Sequence, residues 1–199
     1  MRSNSKMKAL LAIVLSISLL ATGCSAQWIS VALADLPVLT QMALNIAALV
    51  ATLQSGKQLS LSEATAIQNI SNEAGKDLAL LQTLYNQYKA NPSVSTLQKI
   101  QTVIAEIDRD LPALLQAAHI IDPVLTARIS AAVNLIVTTV NSIASLIPQT
   151  TTSASRKATA PKKIVILGAS ELKKQWNQQV CAPSGSATLD PALAACALK

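Results

Sequence analysis

Between Leu36 and Ile147 the apolar residues recur at alternating steps of three and four, in four stretches divided by proline, glycine or hydroxyl-bearing breaks. That step keeps one face of a helix apolar, whereas a half-buried strand needs strict alternation. The first stretch carries Leu36, Leu39, Ala43, Ile46, Val50 and Leu53. Asp35 is its expected N-cap, Pro37 lies in its first turn and Ser55-Gly56 is its stop. The second opens on Ser60-Leu61-Ser62-Glu63, the pattern of a capping box, and carries Ile67, Ile70, Ala74, Leu78, Leu81, Tyr85 and Tyr88 to Asn91-Pro92. The third begins at 93–95 and carries Leu97, Ile100, Ile104, Ile107 and Leu111; Pro112 inside its pattern predicts a kink, or a break recapped by Asp110. The fourth opens at Asp122-Pro123, carries Leu125, Ile129, Val133, Ile136, Val140, Ile143 and Ile147, and closes at Pro148.

Four helices with one stripe each and short connections predict an all-α fold, an antiparallel up-and-down four-helix bundle over residues 35–148. Composition agrees: the chain has five Gly and no Phe in 199 residues, too few turn formers for a sandwich or barrel. Residues 149–163, rich in Thr, Ser, Ala and Lys, read as a flexible linker, and 164–199 as a basic C-terminal segment with a helix near 170–180.

The net charge of +6 is unevenly spread. Arg2, Lys6 and Lys8 precede the bundle, residues 26–148 are slightly acidic, and the chain from Gln149 onward is basic. No dense basic face interleaved with aromatics is visible, so nucleic-acid binding is not expected.

Residues 1–23 have the three parts of an export signal: a positive start, an uncharged apolar run from Ala9 to Ala21, and a small-residue cut site. The run is too short to span a bilayer, which takes about 20 residues. Leu20-Ala21-Thr22-Gly23-Cys24 resembles the lipobox of bacterial lipoproteins, with Ala21 where that family more often has Leu. The resemblance covers about 24 residues. It implies cleavage before Cys24, a diacylglyceryl group on the Cys24 thiol, and acylation of the new N-terminus. Ser25 after the cysteine implies outer-membrane sorting if the host is an enteric-type diderm. Residues 24–34 are then a tether. The other reading is an ordinary signal peptide cut elsewhere, with Cys24 lost or free.

Apart from Cys24 the chain has two cysteines, Cys181 and Cys196. In an exported chain such a pair suggests a disulfide that closes a small C-terminal appendage. Two reduced thiols and a metal site are the alternatives, although zinc wants about four ligands and this segment has no His.

Other features have bland readings that outweigh the functional ones. His119, the sole histidine, is expected at a helix C-terminus, where its charge suits the helix dipole, rather than as a general base or pH switch. Glu106, Asp108 and Asp110 are expected on a solvated face, because alternate helical positions diverge. Ile164-Val165-Ile166-Leu167-Gly168-Ala169-Ser170 is expected as local packing, not a phosphate-binding turn. No nucleophile with a matching base is apparent, so neither a catalytic site nor a cofactor is expected.

Leu36–Leu53 and Ile129–Ile147 contain no charged residue. In an up-and-down bundle these helices are neighbours; the favoured reading is that their Thr, Asn and Gln solvate the joint face, and the alternative is that it meets an envelope protein, an apolar ligand or the membrane surface. The sequence therefore predicts an exported, lipid-anchored and non-catalytic structural or interaction module of the bacterial envelope. Its basic tail (Arg156, Lys157, Lys162, Lys163, Lys173, Lys174) is a candidate for contact with anionic polymer or lipid. A carrier with an apolar ligand inside the bundle, and a membrane-inserting helical hairpin, are the alternatives.

Overall fold

The computed structural model describes the backbone of residues 4–147 and 167–199, with side chains from Trp28 onward. Its regular structure is helical: α1 (Asn4–Ser55), α2 (Leu61–Ala90), α3 (Val94–Ala117), α4 (Pro123–Ala144), α5 (Ala169–Gln179) and α6 (Asp190–Ala195). The linker at 149–163, Pro148 and the run Ile164-Val165-Ile166 lie outside the described residues.

Local chemistry sets the helix ends. Ser60 caps α2 in a full capping box: its Oγ accepts from the Glu63 amide, and the Glu63 carboxylate accepts from the Ser60 amide at 3.0 Å. Ser93 caps α3 by accepting from the Thr96 amide at 3.1 Å. Asp122 caps α4 by accepting from Leu125 at 2.8 Å, with Pro123 in the first turn where it forfeits no helical bond. At the end of α1 the left-handed position falls on Lys57 (φ 56°), one residue past Gly56.

The expected helix start at Asp35 is corrected, and of the two readings for Pro112 the break is set aside. The helix does not start at Asp35; α1 runs unbroken from Asn4, with Pro37 inside it. An interior proline loses one backbone bond and crowds the preceding turn, at a cost of about 3 kcal/mol. Burial offsets that cost, because Trp28, Ile29 and Ala32 continue the apolar seam upstream of Leu36 and enter the common core. The stretch expected as a tether, 24–34, is therefore helical, and Asp35 is a mid-helix residue. Pro112 likewise sits within an unbroken α3, and Asp110 does not recap the chain but pairs with Arg109 at 2.6 and 2.9 Å.

The packing follows the seams. Every seam residue predicted for α3 and α4 is buried, as are those of α1, and α2 departs only at Tyr88, which is half-buried. Helix α1 packs on α2, α2 on α3, α3 on α4 and α4 on α1. The start of the described part of α1 lies beside the end of α2, where Trp28 meets Tyr85 and Tyr88. Midway along the same pair, Ser71 donates to the Ala43 carbonyl at 2.6 Å. The start of α2 lies beside the end of α3, where Glu63 Oε1 accepts from the Ile121 amide at 2.9 Å. Between α3 and α4, Asn141 Nδ2 donates to Asp108 at 2.8 Å.

The C-terminal segment belongs to the same core. Helix α5 packs on α1 and α4, and α6 packs on α1. Leu172, Trp176, Val180, Leu189 and Leu193 join the α1–α4 residues in one apolar cluster.

Candidate functional site

Cys24 falls within α1, one helical turn before Trp28, and its side chain is outside the described ones. Below it, Trp28 packs edge-on to Tyr85 (centroids 5.5 Å apart, planes at 71°) and against Tyr88 at 5.8 Å. Three of the chain's four aromatic residues thus gather one turn from the predicted lipidation site. Burial raises the Tyr85 phenol well above its usual range, so the hydroxyl stays protonated. Among the described residues neither that hydroxyl nor the Trp28 indole N–H has a hydrogen-bond partner.

Cys181 and Cys196 form a disulfide, with Cα atoms 5.9 Å apart. The loop it closes is tied to α1 and α5. Asn45 Nδ2 donates to the Cys196 carbonyl at 2.7 Å, and Trp176 Nε1 donates to the same oxygen at 2.9 Å. Asn177 pairs twice with Leu198, donating to its carbonyl at 2.9 Å and accepting from its amide at 2.8 Å. Lys173 donates to the Lys199 carbonyl at 2.7 Å. Further along, Arg128 donates to the Gln179 carbonyl and Gln58 to the Thr188 carbonyl, each at 2.8 Å. Asp190 Oδ1 accepts from both the amide and hydroxyl of Ser184, and these bonds lower its pKa. These side chains serve as clips: most of their partners are backbone carbonyls and amides of another element.

Much of the charge-free surface shared by α1 and α4 is thereby occupied, over the stretch that α5 and α6 cover, by this chain's own C-terminal segment. The sequence leaves open a solvated face or a docked partner there, and the structure lays α5 and α6 of the same chain across part of it. Asn45 was the available signal, a long polar residue flanking the α1 seam. Of the basic tail residues, Lys173 is engaged as described and Lys174 faces Glu171 at 3.6 Å. Arg156, Lys157, Lys162 and Lys163 lie outside the described residues.

Asp35 has a role other than the expected one. Only 1% exposed, it accepts from the Ala169 amide at the first turn of α5, a helix whose own N-cap, Gly168, provides no side chain. It caps a helix, but one more than a hundred residues away. Burial raises its pKa and the Ala169 amide opposes the rise; its other oxygen, Oδ2, has no partner among the described residues.

Asp77 on α2 is 3% exposed and also has an unpartnered Oδ2. Its pKa is pushed up to about 6, first by burial and then by Glu73; Glu106 and Asp110 add to the rise and Lys76 opposes it. The expectation that Glu106, Asp108 and Asp110 diverge holds for Asp108, which turns to α4. Glu106 and Asp110, four residues apart, instead share a face and flank Asp77 from α3. A groove of about 510 Å³ lies beside them, lined by Asn69, Asn72, Glu73, Asp110, Ala113 and Leu114. Among the described residues no group of three or more His, Cys, Asp or Glu side chains is arranged to hold a metal ion.

His119 follows the C-cap of α3, exposed and in the left-handed region (φ 45°). No protein family, curated protein or solved structure matches the chain.

Proposed function

We propose that this chain is a lipid-anchored protein of the bacterial envelope whose up-and-down four-helix bundle serves as a non-catalytic structural or interaction module. The observation that carries the reading is the sequence from Arg2 to Cys24: a basic start, a short apolar run and a lipobox-like end. Each acyl methylene buried in a bilayer contributes about 0.8 kcal/mol, so two or three chains on one residue make a stable anchor where one would bind only reversibly. The up-and-down arrangement is supported by the opposed ends that meet at Trp28–Tyr85 and at Glu63–Ile121.

The bundle is suited to holding a fixed shape. Its two low-charge helices bury their seams, the C-terminal segment is clipped onto them, and a disulfide closes that segment. A disulfide suits an oxidising compartment outside the cytoplasm.

A membrane-inserting hairpin is the second reading, because Trp28–Ser55 and Pro123–Ala144 are each long and apolar enough to cross a bilayer. Against it weighs the position of α5 and α6, whose polar clips lie across those same helices. Membrane extraction separates the two. An anchored bundle exported on a signal that is removed without lipidation is released by alkaline carbonate, and an inserted hairpin exported the same way is retained.

A further inference from the structure

The surface next to the anchor differs from the rest of the bundle. Residues 78–105, the end of α2 and the start of α3, contain two charged residues, Lys89 and Lys99, both exposed. No acidic residue falls in that stretch. The acids of α2 and α3 (Glu63, Glu73, Asp77, Glu106, Asp108 and Asp110) all lie further along these helices. The same end displays Val94 (62% exposed) and Leu80 (42%); Leu61 and Ile121 are exposed at the opposite end, so it is charge and nearness to Cys24, not apolar exposure, that set this end apart. Leu80 lines a groove of about 410 Å³ together with Leu84, Val103 and Lys99. Tyr88, half-buried, sits there against Trp28.

Trp28 fixes where this surface lies. It is one helical turn past Cys24 on a continuous helix, and it touches Tyr85 and Tyr88. The basic, aromatic and apolar end is therefore the end from which the N-terminal apolar helix departs. Tyrosine favours the headgroup level of a bilayer, exposed aliphatics favour its acyl boundary, and lysines are attracted to anionic lipid; Trp28 and Tyr85 are buried, so Tyr88 is the member of the aromatic cluster placed to reach a bilayer. All three preferences coincide at this end.

We propose that this end of the bundle, Tyr88, Lys89, Val94 and Lys99 with the Leu80 groove, is a docking surface for an anionic bilayer. It lays the protein against the membrane that carries its anchor, and directs the acidic end outward. The inference rests on the anchored reading above, and adds the orientation and the lipid charge that holds it.

The test is amine footprinting of the full-length protein, purified with its anchor and reconstituted into phosphatidylcholine vesicles with or without phosphatidylglycerol. Acylation of each lysine is read by peptide mass. On the anionic vesicles Lys89 and Lys99 react about fivefold more slowly than on the neutral ones, high salt restores their reactivity, and Lys57 and Lys76 keep theirs. Equal rates for Lys89 and Lys99 on both vesicles overturn the proposal. The intact mass of the same sample separates the two claims. Acyl chains present with both lysines unprotected defeats the docking surface alone. Acyl chains absent with both lysines protected defeats the lipid anchor and supports the surface.

Discussion

Asn45 and Cys196, 151 positions apart, are joined by a 2.7 Å hydrogen bond from the asparagine amide to the cysteine carbonyl. The same oxygen accepts from the buried Trp176 indole, so one carbonyl fastens α5, α1 and the disulfide loop together. Asn45→Ala leaves that oxygen one donor and costs about 1 kcal/mol; Trp176→Phe loses its hydrogen bond and leaves a cavity at a fully buried position, for about 2–4 kcal/mol in all. Together they leave it with neither, and the loss exceeds the sum of the two singles. Urea melts of the two singles and the double check this; strict additivity contradicts it.

Replacing both Cys181 and Cys196 by Ser lowers stability by about 3 kcal/mol in the chain-entropy account of a loop of this size. Helix content on the α1–α4 side persists at moderate denaturant while the Trp176 signal is lost first. Circular dichroism and Trp fluorescence, recorded on the same titration with a Trp28→Phe background so that Trp176 alone emits, check the order of the two losses.

Asp77 destabilises the fold at neutral pH. Its carboxyl titrates at about 6 when folded, against 3.8 for the free side chain. Between those values the folded chain holds a proton that the unfolded chain has released, so stability falls as pH rises through that window and is level above it. The groups facing Asp77 are Glu73 and Lys76 on its own helix and Glu106 and Asp110 on α3. Asp77→Asn removes the ionisation and is expected to stabilise above pH 6, by about 1–2 kcal/mol allowing for solvent screening, with the gain vanishing near pH 4. Thermal melts of both proteins across that range provide the comparison.

Glu63 works in the opposite sense. The Ile121 amide first, and then Ser60, hold its carboxyl below the ordinary value. That contribution is present above the unfolded pKa near 4.5 and is lost as pH falls through the lower, folded one. Glu63→Ala removes the reciprocal cap of α2 and the tie to the α3–α4 connection, for about 1–2 kcal/mol at neutral pH. The same substitution costs less in acid, and melts at both pH values check it.

The Tyr85 hydroxyl is buried without a partner, so Tyr85→Phe retains the packing against Trp28 and removes an unsatisfied polar group. It is expected to leave stability unchanged or raise it by about 1 kcal/mol. A loss of more than that amount in a denaturant melt contradicts this account of the aromatic cluster.

The helices and their caps were legible because their determinants are local. The seams at steps of three and four, the Ser60–Glu63 box and the Asp122-Pro123 start each act within a few residues. The upstream part of α1 was not legible in the same way. Asp35-Pro37 has the look of a helix start, and only burial of Trp28 and Ile29 against α2, a tertiary effect, carries the helix through it. The buried acids were missed for a related reason. Asp35 and Asp77 each stand immediately before a seam leucine, Leu36 and Leu78, and so share the inward-facing side of their helices. A carboxylate there is informative only once its partners are known, and those of Asp35 come from α5, across the linker. The cysteine pair was recognised from number and compartment, whereas the Asn45 and Trp176 bonds that hold its loop down depend on contacts no spacing rule contains.

The most direct measurement is the intact mass of the protein isolated from the membranes of its own cells. The account predicts a chain that begins at Cys24, heavier than its polypeptide by a diacylglyceryl group and an N-acyl chain, and lighter by the two hydrogens lost when Cys181 and Cys196 join. A chain that retains residues 1–23, or one that begins beyond Cys24 with no lipid attached, contradicts it.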